Sequence, residues 1–363
     1  AAALLLTLVA CERGASTSKD VQKDTYEMRM PGPAPQARGF DAAARNDECE
    51  QCHDAIAAEW RASLHRVAYT DWAFQRAFEK EPLAFCRGCH APEAAPARAP
   101  AAPLAALGVG CVTCHLPGEA VLAAPRSGPE AAVHPVTRAP AFATAAACAR
   151  CHEFEFPRSG HRVAAFMQTT AREHAASPAR DRSCADCHMP RVADDAGGHR
   201  SHRFEATRSA EILKGALAIA AARPRGDRVE VTLEARDVGH AVPTGDLNRR
   251  LSVWARVLDP ARRRERQIAY LARHFESVHA PGQPPLRAEV ADDRVFPGEL
   301  RVVTFDLKPE DAGLPVAWGV SHERVETFLS EQDPRSAIIA GAVELAEGVL
   351  QPGQATSAAA PGS

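Results

Sequence analysis

The pattern Cys-x-x-Cys-His occurs five times in this 363-residue chain, as CEQCH at 49–53, CRGCH at 86–90, CVTCH at 111–115, CARCH at 148–152 and CADCH at 184–188. Two thiols at this spacing lie on one side of a short turn, where they can form thioethers with the two vinyl groups of one porphyrin. The adjacent histidine then lies under the iron as its proximal ligand. Each copy therefore predicts one covalent c-type haem.

Zinc ribbons and disulfide frameworks also use paired cysteines. Here, however, every pair is followed directly by His, and the five motifs use ten of the eleven cysteines. We therefore expect five c-type haems rather than zinc or disulfides. The predicted attachment residues are Cys49, Cys52, Cys86, Cys89, Cys111, Cys114, Cys148, Cys151, Cys184 and Cys187, and the predicted proximal ligands are His53, His90, His115, His152 and His188.

The composition is globular, with 45% hydrophobic residues but only 6% aromatic ones. Packed protein cores usually use more Phe, Tyr and Trp, so we expect the porphyrins to supply part of the apolar surface. The formal net charge of −3 omits the haem propionates, and the arginines are scattered along the chain. The charge therefore gives no argument for nucleic-acid binding. Some arginines are expected to pair with propionates and others to be solvated.

The first ten residues, AAALLLTLVA, form an apolar run that is too short to span a bilayer. This run fits the hydrophobic part of an export signal. The tetrapeptide from Leu8 to Cys11 resembles a bacterial lipobox, which predicts lipidation of Cys11; the alternative is an ordinary secretory signal with an incidental cysteine. Residues 12–45 are rich in Ser, Lys, Asp and Pro, as a flexible linker would be. We thus expect an exported periplasmic or cell-surface lipoprotein, anchored to a bacterial membrane.

The expected haem domain spans residues 46–208, and its proximal histidines are separated by 37, 25, 37 and 36 residues. So little polypeptide per haem predicts that the haems lie against one another, joined by short helices and loops. Apolar residues recur at helical spacing over 53–66, 70–80 and 161–175. A mainly helical and irregular domain is therefore predicted here.

A second domain is expected over residues 209–350. Val229 to Ala235 alternates strictly between apolar and polar residues, which is the period of a β-strand. Further strands are predicted at 251–257, 301–307 and 320–329, with Pro and Gly turn signals between them. This pattern favours an antiparallel β-sandwich and an α+β chain overall. The final segment, 351–363, is predicted to be disordered.

The ligand on the other face of each iron decides the chemistry. A haem with protein ligands on both faces mostly transfers electrons, whereas an open face can bind a small molecule. The motifs leave ten further histidines, enough for two at every iron. His65 lies twelve residues past His53, too far along its segment to bind the same iron, so it would ligate a neighbouring haem unless it is a surface residue. His134 precedes Pro135, which fixes the local backbone.

Two later segments hold further candidates. Of His199 and His202, one is expected to bind iron and the other to hydrogen-bond a propionate. His240 lies in the loop VGHAVPTGD of the second domain, where it would bind a haem and join the domains, or else be a loop residue without a metal. For the one iron that still lacks a distal candidate, we favour His161. Met167, which would raise that haem's potential, His199 and an open face remain alternatives.

Four short motifs carry a family resemblance: Trp60-Arg-Ala-Ser-Leu-His65, Cys187-His-Met-Pro190, Ser201-His-Arg-Phe204 and Gly239-His-Ala-Val-Pro-Thr-Gly245. Together with the haem motifs they resemble bacterial multihaem c-type cytochromes, the group that contains hydroxylamine oxidoreductase and the small tetrahaem cytochromes that accept its electrons. The resemblance covers residues 46 to 330. It implies that His65, His134, His202 and His240 are distal ligands.

The function expected from these features is electron transfer through the haems between periplasmic or membrane redox partners. Such partners would be quinol-linked, periplasmic or outer-membrane cytochromes. The second domain is then expected to serve as a docking module. The alternative is an oxidoreductase that acts on a small nitrogen or sulfur compound at one open haem. Two departures weigh against an enzyme: no Cys-x-x-Cys-Lys motif occurs, and none of the three tyrosines, Tyr26, Tyr69 and Tyr270, stands in a recognisable relation to a haem motif.

Overall fold

The computed structural model describes residues 40–125, 133–156, 165–193, 198–205, 209–278, 286–330, 333–353 and 357–358. Cys11, His161 and nearly all of the predicted linker lie outside these ranges. No helix among the described residues combines the length and the apolar character needed to cross a membrane.

Short helices dominate the described chain up to residue 216. They are α1 (Ala42–Cys52), α2 (Asp54–Arg61), α3 (Trp72–Lys80), α4 (Ala84–His90), α5 (Ala102–Leu107), α6 (Cys111–His115), α7 (Ala146–His152), α8 (Thr170–Ala176), α9 (Cys184–His188) and α10 (Ala210–Ala216). The first begins four residues before the predicted start of the haem domain.

Local sequence explains where several of these helices begin. The Asp41 carboxylate accepts hydrogen bonds from the backbone N–H groups of Ala43 and Ala44 at the start of α1, and Asp71 accepts one from Phe74 at the start of α3. At α9, Ser183 and Asp186 form a reciprocal capping box. Such caps satisfy backbone donors that the first turn leaves unpaired.

Short strands connect the helices in pairs: β1 (Leu122–Ala123) with β2 (Thr137–Arg138), β3 (Glu153–Glu155) with β4 (Phe166–Thr169), and β5 (Arg191–Val192) with β6 (His199–Arg200). The helix predicted over 161–175 is therefore wrong for residues 166–169, which pair with β3 instead. The sequence Phe-Met-Gln-Thr does not alternate, and it is the pairing with β3 that makes this segment a strand. The helix predicted over 53–66 ends at Arg61 and continues as turns.

The remaining described chain consists mainly of longer antiparallel strands. They are β7 (Leu217–Arg225), β8 (Arg228–Ala235), β9 (Arg249–Val257), β10 (Gln267–Leu271), β11 (Arg273–Val278), β12 (Leu286–Asp292), β13 (Leu300–Asp306), β14 (Val316–Phe328), β15 (Ala337–Leu350) and β16 (Ser357–Ala358). The chain is thus α+β, as expected. The short strand β16 pairs with β7 and lies inside the segment predicted to be disordered.

Two four-stranded sheets carry most of these strands, in the orders β10-β9-β14-β15 and β13-β8-β7-β16. The alternation that predicted β8 is realised, since Val229, Val231 and Leu233 are fully buried. They belong to one hydrophobic cluster that also contains Leu251 of β9 and Trp318 of β14. Apolar burial of this kind contributes about 25 cal/mol per Å², so this cluster is the main polypeptide core.

Several polar contacts join the strand-rich part to the helical part. The Arg273 guanidinium donates to the carbonyl oxygens of Phe166 (2.7 Å) and Met167 (2.9 Å). The Arg324 guanidinium lies 3.0 Å from the largely buried carboxylate of Asp71. Because Asp71 also caps α3, this ion pair ties β14 to a helix of the haem-motif region.

Candidate haem centres

A single cavity of about 3400 Å³ runs through the helical part and reaches the strand-rich part. Pockets for one drug-sized ligand measure about 300–1,000 Å³, so this cavity has room for several large prosthetic groups. Every described motif cysteine lines it. So do the five motif histidines and four of the five residues predicted as distal ligands, namely His65, His134, His202 and His240.

Each motif places its reactive side chains by forming a helical turn. The two cysteines stand at i and i+3, positions that share one side of a helix, and the histidine ends the helix or follows it directly. All ten described cysteines are free thiols. This donor set suits a c-type haem, because it offers two thiols for thioether bonds and one imidazole for the iron at each motif.

Four of the five motif histidines face a second imidazole ring across the cavity. In each case the second ring belongs to a histidine predicted as a distal ligand. The separations of the ring centroids are nearly equal, whereas the angles between the ring planes differ. The pairs are His53 with His134 (6.3 Å, 74°), His152 with His65 (6.2 Å, 65°), His115 with His202 (6.1 Å, 37°) and His188 with His240 (6.1 Å, 10°).

This separation is the one that a metal between two imidazoles requires. Two metal–nitrogen bonds of about 2.0 Å put the coordinating nitrogens about 4 Å apart, and the ring radii of about 1.1 Å add about 2 Å more. The expected centroid separation is therefore about 6 Å. Directly stacked rings would be closer, as His115 and Phe142 are at 5.2 Å.

The hydrogen bonds of these rings orient one nitrogen toward the cavity. The Nδ1 atoms of His90, His115 and His202 lie 2.6–2.7 Å from backbone carbonyl oxygens, and that of His240 lies 3.0 Å from the Ala241 oxygen. Because a carbonyl only accepts, the ring proton is on Nδ1 and Nε2 is left as a donor of electrons. Iron- and zinc-binding histidines characteristically have this arrangement.

His199 has the opposite arrangement. Its Nε2 lies 3.2 Å from the Glu59 carboxylate, so this nitrogen already has a partner. Of the two neighbouring histidines, His202 therefore presents the free Nε2.

Burial lowers the pKa of six of the paired imidazoles and so favours the neutral form that binds metals; they are those of His65, His115, His152, His188, His202 and His240. Burial, together with the nearby rings of His152, His202 and His90, lowers the pKa of His65 to about 3. The pKa of His202 falls to about 4, again mainly because of burial. Both rings are uncharged at neutral pH.

The second motif differs from the other four. The His90 ring stacks on Phe74, with centroids 3.8 Å apart and planes 13° from parallel, and none of the described histidines is paired with it as in the other motifs. Of the candidates for the fifth distal ligand, His161 lies outside the described residues. Met167 lies in β4 and lines the cavity.

The motifs lie in contact in an order that differs from their order along the chain. The thiols of Cys89 and Cys151, in the second and fourth motifs, lie close enough to shift each other's pKa, and so do those of Cys148 and Cys184, in the fourth and fifth motifs. Cys114 of the third motif interacts electrostatically with Cys151. The fourth motif therefore has three neighbours.

The first motif borders on the third. The amide oxygen of Asn46, in α1, accepts a hydrogen bond from the backbone N–H of Cys111 (2.7 Å). The Trp60 indole donates to the Val109 carbonyl (2.8 Å), and Trp60 packs with Leu107 and other residues in a small buried cluster. These contacts fix α1 and α2 against α6.

Two carboxylates hold the segments that carry distal candidates, and nothing in the sequence spacing distinguished them. Glu59 of α2 accepts a hydrogen bond from the backbone N–H of His202 (2.8 Å). Glu173 of α8 accepts bonds from the loop that carries His240. Burial alone would raise the pKa of Glu173, but the Arg294 guanidinium and the Thr169 and Thr244 hydroxyls outweigh it, and the pKa lies below its usual value.

A family model described as cytochrome c554 and c-prime matches residues 48–116, which contain the first three motifs. No curated protein matches the chain.

The crystal structure of a penta-heme cytochrome c552 from Thermochromatium tepidum is similar to this fold. The TM-score is 0.58 at 18% sequence identity, and the match covers 84% of this chain and 98% of the other. At this level of identity the likeness shows a shared fold. The first three motifs thus lie in a segment similar to a cytochrome family, and the chain shares its fold with a multihaem cytochrome.

Proposed function

We propose that this chain binds five c-type haems covalently, one at each Cys-x-x-Cys-His motif. The observation that carries the proposal is the set of four imidazole pairs, each separated by 6.1–6.3 Å in a cavity lined by the ten thiols. In each pair the motif histidine is the proximal ligand and the second histidine is the distal one. For the haem of the second motif, the distal ligand is a choice between His161, Met167 and an open face.

Bound haem iron supplies reversible one-electron oxidation and reduction. The polypeptide holds the irons at fixed positions and keeps the buried imidazoles neutral. From the contacts between motifs we infer the order of the haems in space. The first haem lies beside the third, the third lies beside the fourth, and the second and fifth haems are both adjacent to the fourth. Electrons would therefore pass between neighbouring haems along a branched path.

The two four-stranded sheets would form the β-sandwich domain. It contributes His240 to the fifth haem and offers a surface for docking. The partners would be other redox proteins, such as quinol-linked, periplasmic or outer-membrane cytochromes. The resemblance of residues 8–11 to a lipobox supports an exported lipoprotein, anchored to the membrane through Cys11.

Intact-mass spectrometry of the purified protein tests the haem number, since each covalent haem adds a fixed mass and five are expected. Electron paramagnetic resonance tests the ligation, because two axial imidazoles make ferric haem low-spin. A haem count below five, or a largely high-spin spectrum, would contradict the proposal.

Catalysis at one open haem is the second candidate function. The observation in its favour is that His90 is stacked on Phe74 and not paired with a described histidine. Its substrate would be a small nitrogen or sulfur compound that binds iron directly.

Turnover assays with nitrite, hydroxylamine and sulfite would separate the two functions. An electron carrier exchanges electrons rapidly with small redox dyes but turns over none of these compounds. A high-spin signal from one haem, together with turnover of any of them, would favour the enzyme.

A further inference from the structure

We propose that Glu173 is a positioning residue, which holds His240 at the iron of the fifth haem. This role deepens the proposed function and depends on it, because it presupposes that His188 and His240 bind the same haem. Glu173 lies 67 positions before His240 in the chain, on α8, and its hydrogen bonds go to groups other than the His240 ring.

The Glu173 carboxylate receives four hydrogen-bond donors, two on each oxygen. Oε1 accepts from the Thr169 hydroxyl (2.6 Å) and the Arg294 guanidinium (2.8 Å). Oε2 accepts from the Thr244 hydroxyl (2.8 Å) and the Ala241 backbone N–H (3.2 Å). The two donors on Oε2 lie on either side of the turn that follows His240.

The far side of this loop is anchored in the strand-rich part. Val242 and Val295 exchange backbone hydrogen bonds of 2.8 and 3.0 Å, and the Arg294 guanidinium donates to the Pro243 carbonyl (3.1 Å). Glu173 and Arg294 are both largely buried. The carboxylate therefore connects the helix α8 of the haem-motif region to a loop that the second domain otherwise holds.

The four donors require a carboxylate. An ionised carboxyl group only accepts, whereas a glutamine side chain presents one accepting oxygen and one donating nitrogen. In either orientation of the amide, its NH₂ group would face one obligate donor, either the Ala241 N–H or the Arg294 guanidinium, because the Thr169 and Thr244 hydroxyls can turn and accept instead. Either the Ala241 N–H or the Arg294 guanidinium would thus lose its acceptor, and a buried donor without a partner is costly.

Glu173→Gln in the full-length holoprotein tests the proposal. The planes of His188 and His240 are 10° apart, so the fifth haem should give the low-spin ferric spectrum of nearly parallel imidazoles. We expect the variant to lose most of this signal and gain a high-spin signal of up to one haem. The midpoint potential of that haem, from a redox titration followed by electron paramagnetic resonance, should shift as well.

Glu289→Gln is the matched control, because Glu289 also pairs with a buried arginine at the junction of the two parts, at 2.6 Å from Arg273, but does not contact the His240 loop. It should retain the wild-type spectrum. The proposal would be overturned if Glu173→Gln kept the wild-type low-spin signal of the fifth haem, or if both variants lost this signal to the same extent. If Glu173→Gln does not accumulate as holoprotein, Thr244→Val removes one of the loop donors and is read by the same criteria.

His240→Ala provides the reference spectrum for complete loss of the ligand. If this variant keeps the wild-type spectrum, His240 is not an iron ligand and the proposed ligation fails. If His240→Ala loses the signal and Glu173→Gln keeps it, the ligation stands and the role of Glu173 fails.

Discussion

Replacing Glu59 by Met should weaken the bond between His202 and the iron of the third haem. Glu59 is mostly buried, and its carboxylate accepts the His202 backbone N–H at 2.8 Å and also contacts His199 Nε2 at 3.2 Å. Met is unbranched and has a helix propensity close to that of Glu, so α2 should remain intact. The change removes the acceptor while the His202 side chain stays unaltered.

The magnitude follows from the unpaired amide. A buried N–H that loses its acceptor costs about 1–3 kcal/mol. When the segment leaves the haem, water can hydrate this amide, so the penalty falls on the attached state. The equilibrium between attached and detached His202 should therefore shift about 5- to 150-fold toward detachment.

Carbon monoxide binding to the reduced protein measures this shift, because at the third haem the gas can bind only once the His202 imidazole has left the iron. The apparent affinity of the third haem should rise by the same factor. Glu48→Met serves as the control, since Glu48 forms an exposed pair with Arg45, and such pairs contribute little. An unchanged affinity in a folded, fully loaded Glu59→Met protein would refute the reasoning.

Three further predictions concern stability and spectra. Burial and the nearby Arg249 lower the pKa of His322 to about 4 in the folded protein. As the pH falls, His322 is therefore protonated at a higher pH in the unfolded chain than in the folded one. Stability should fall by about 3 kcal/mol as the pH drops from 6.5 to 4, and His322→Leu should flatten this part of the melting temperature profile. Trp60→Phe should lose the bond to Val109 and about 1 kcal/mol, seen as a lower denaturant midpoint; an unchanged midpoint would argue against that bond. In the wild-type spectrum, the nearly perpendicular pair of the first motif should show much larger g-anisotropy than the nearly parallel pair of the fifth, because perpendicular imidazole planes leave the iron d orbitals almost degenerate; equal anisotropy would contradict the geometry.

Local pattern predicted the strands better than the helices. Val229, Val231 and Leu233 alternate cleanly, and each is buried in the structure. The strand β4 was predicted as helix because its register depends on β3, which lies outside the segment. Strand β7 contains four alanines and ends in Arg223-Pro224-Arg225, so its composition carries little strand signal. Its pairing with β8 and β16 defines it.

The covalent motifs could be read from the sequence because the chemistry requires a fixed local spacing. The distal candidates could be nominated from their surroundings, but not assigned to particular motifs, since each lies in a different segment from the ring it faces. His65, for example, pairs with His152 rather than with a motif close to it in the chain. Glu59 and Glu173 gave no signal, because a carboxylate that binds backbone N–H groups of a distant loop looks like any surface glutamate in a sequence.

The histidine pairs have a consequence for how the chain folds. Their members lie 52 to 87 positions apart, so a haem bound between them would act as a cross-link that closes a long loop. In the chain-entropy model, closing loops of this size removes about 4–5 kcal/mol of unfolded-state freedom each. The buried apolar cluster described in the haem-motif region contains only Ala42, Trp60, Leu107 and Val112. The haem-motif region would therefore acquire its fold as the haems are attached, and a chain that misses one haem would lack a cross-link of its tertiary structure as well as a redox centre.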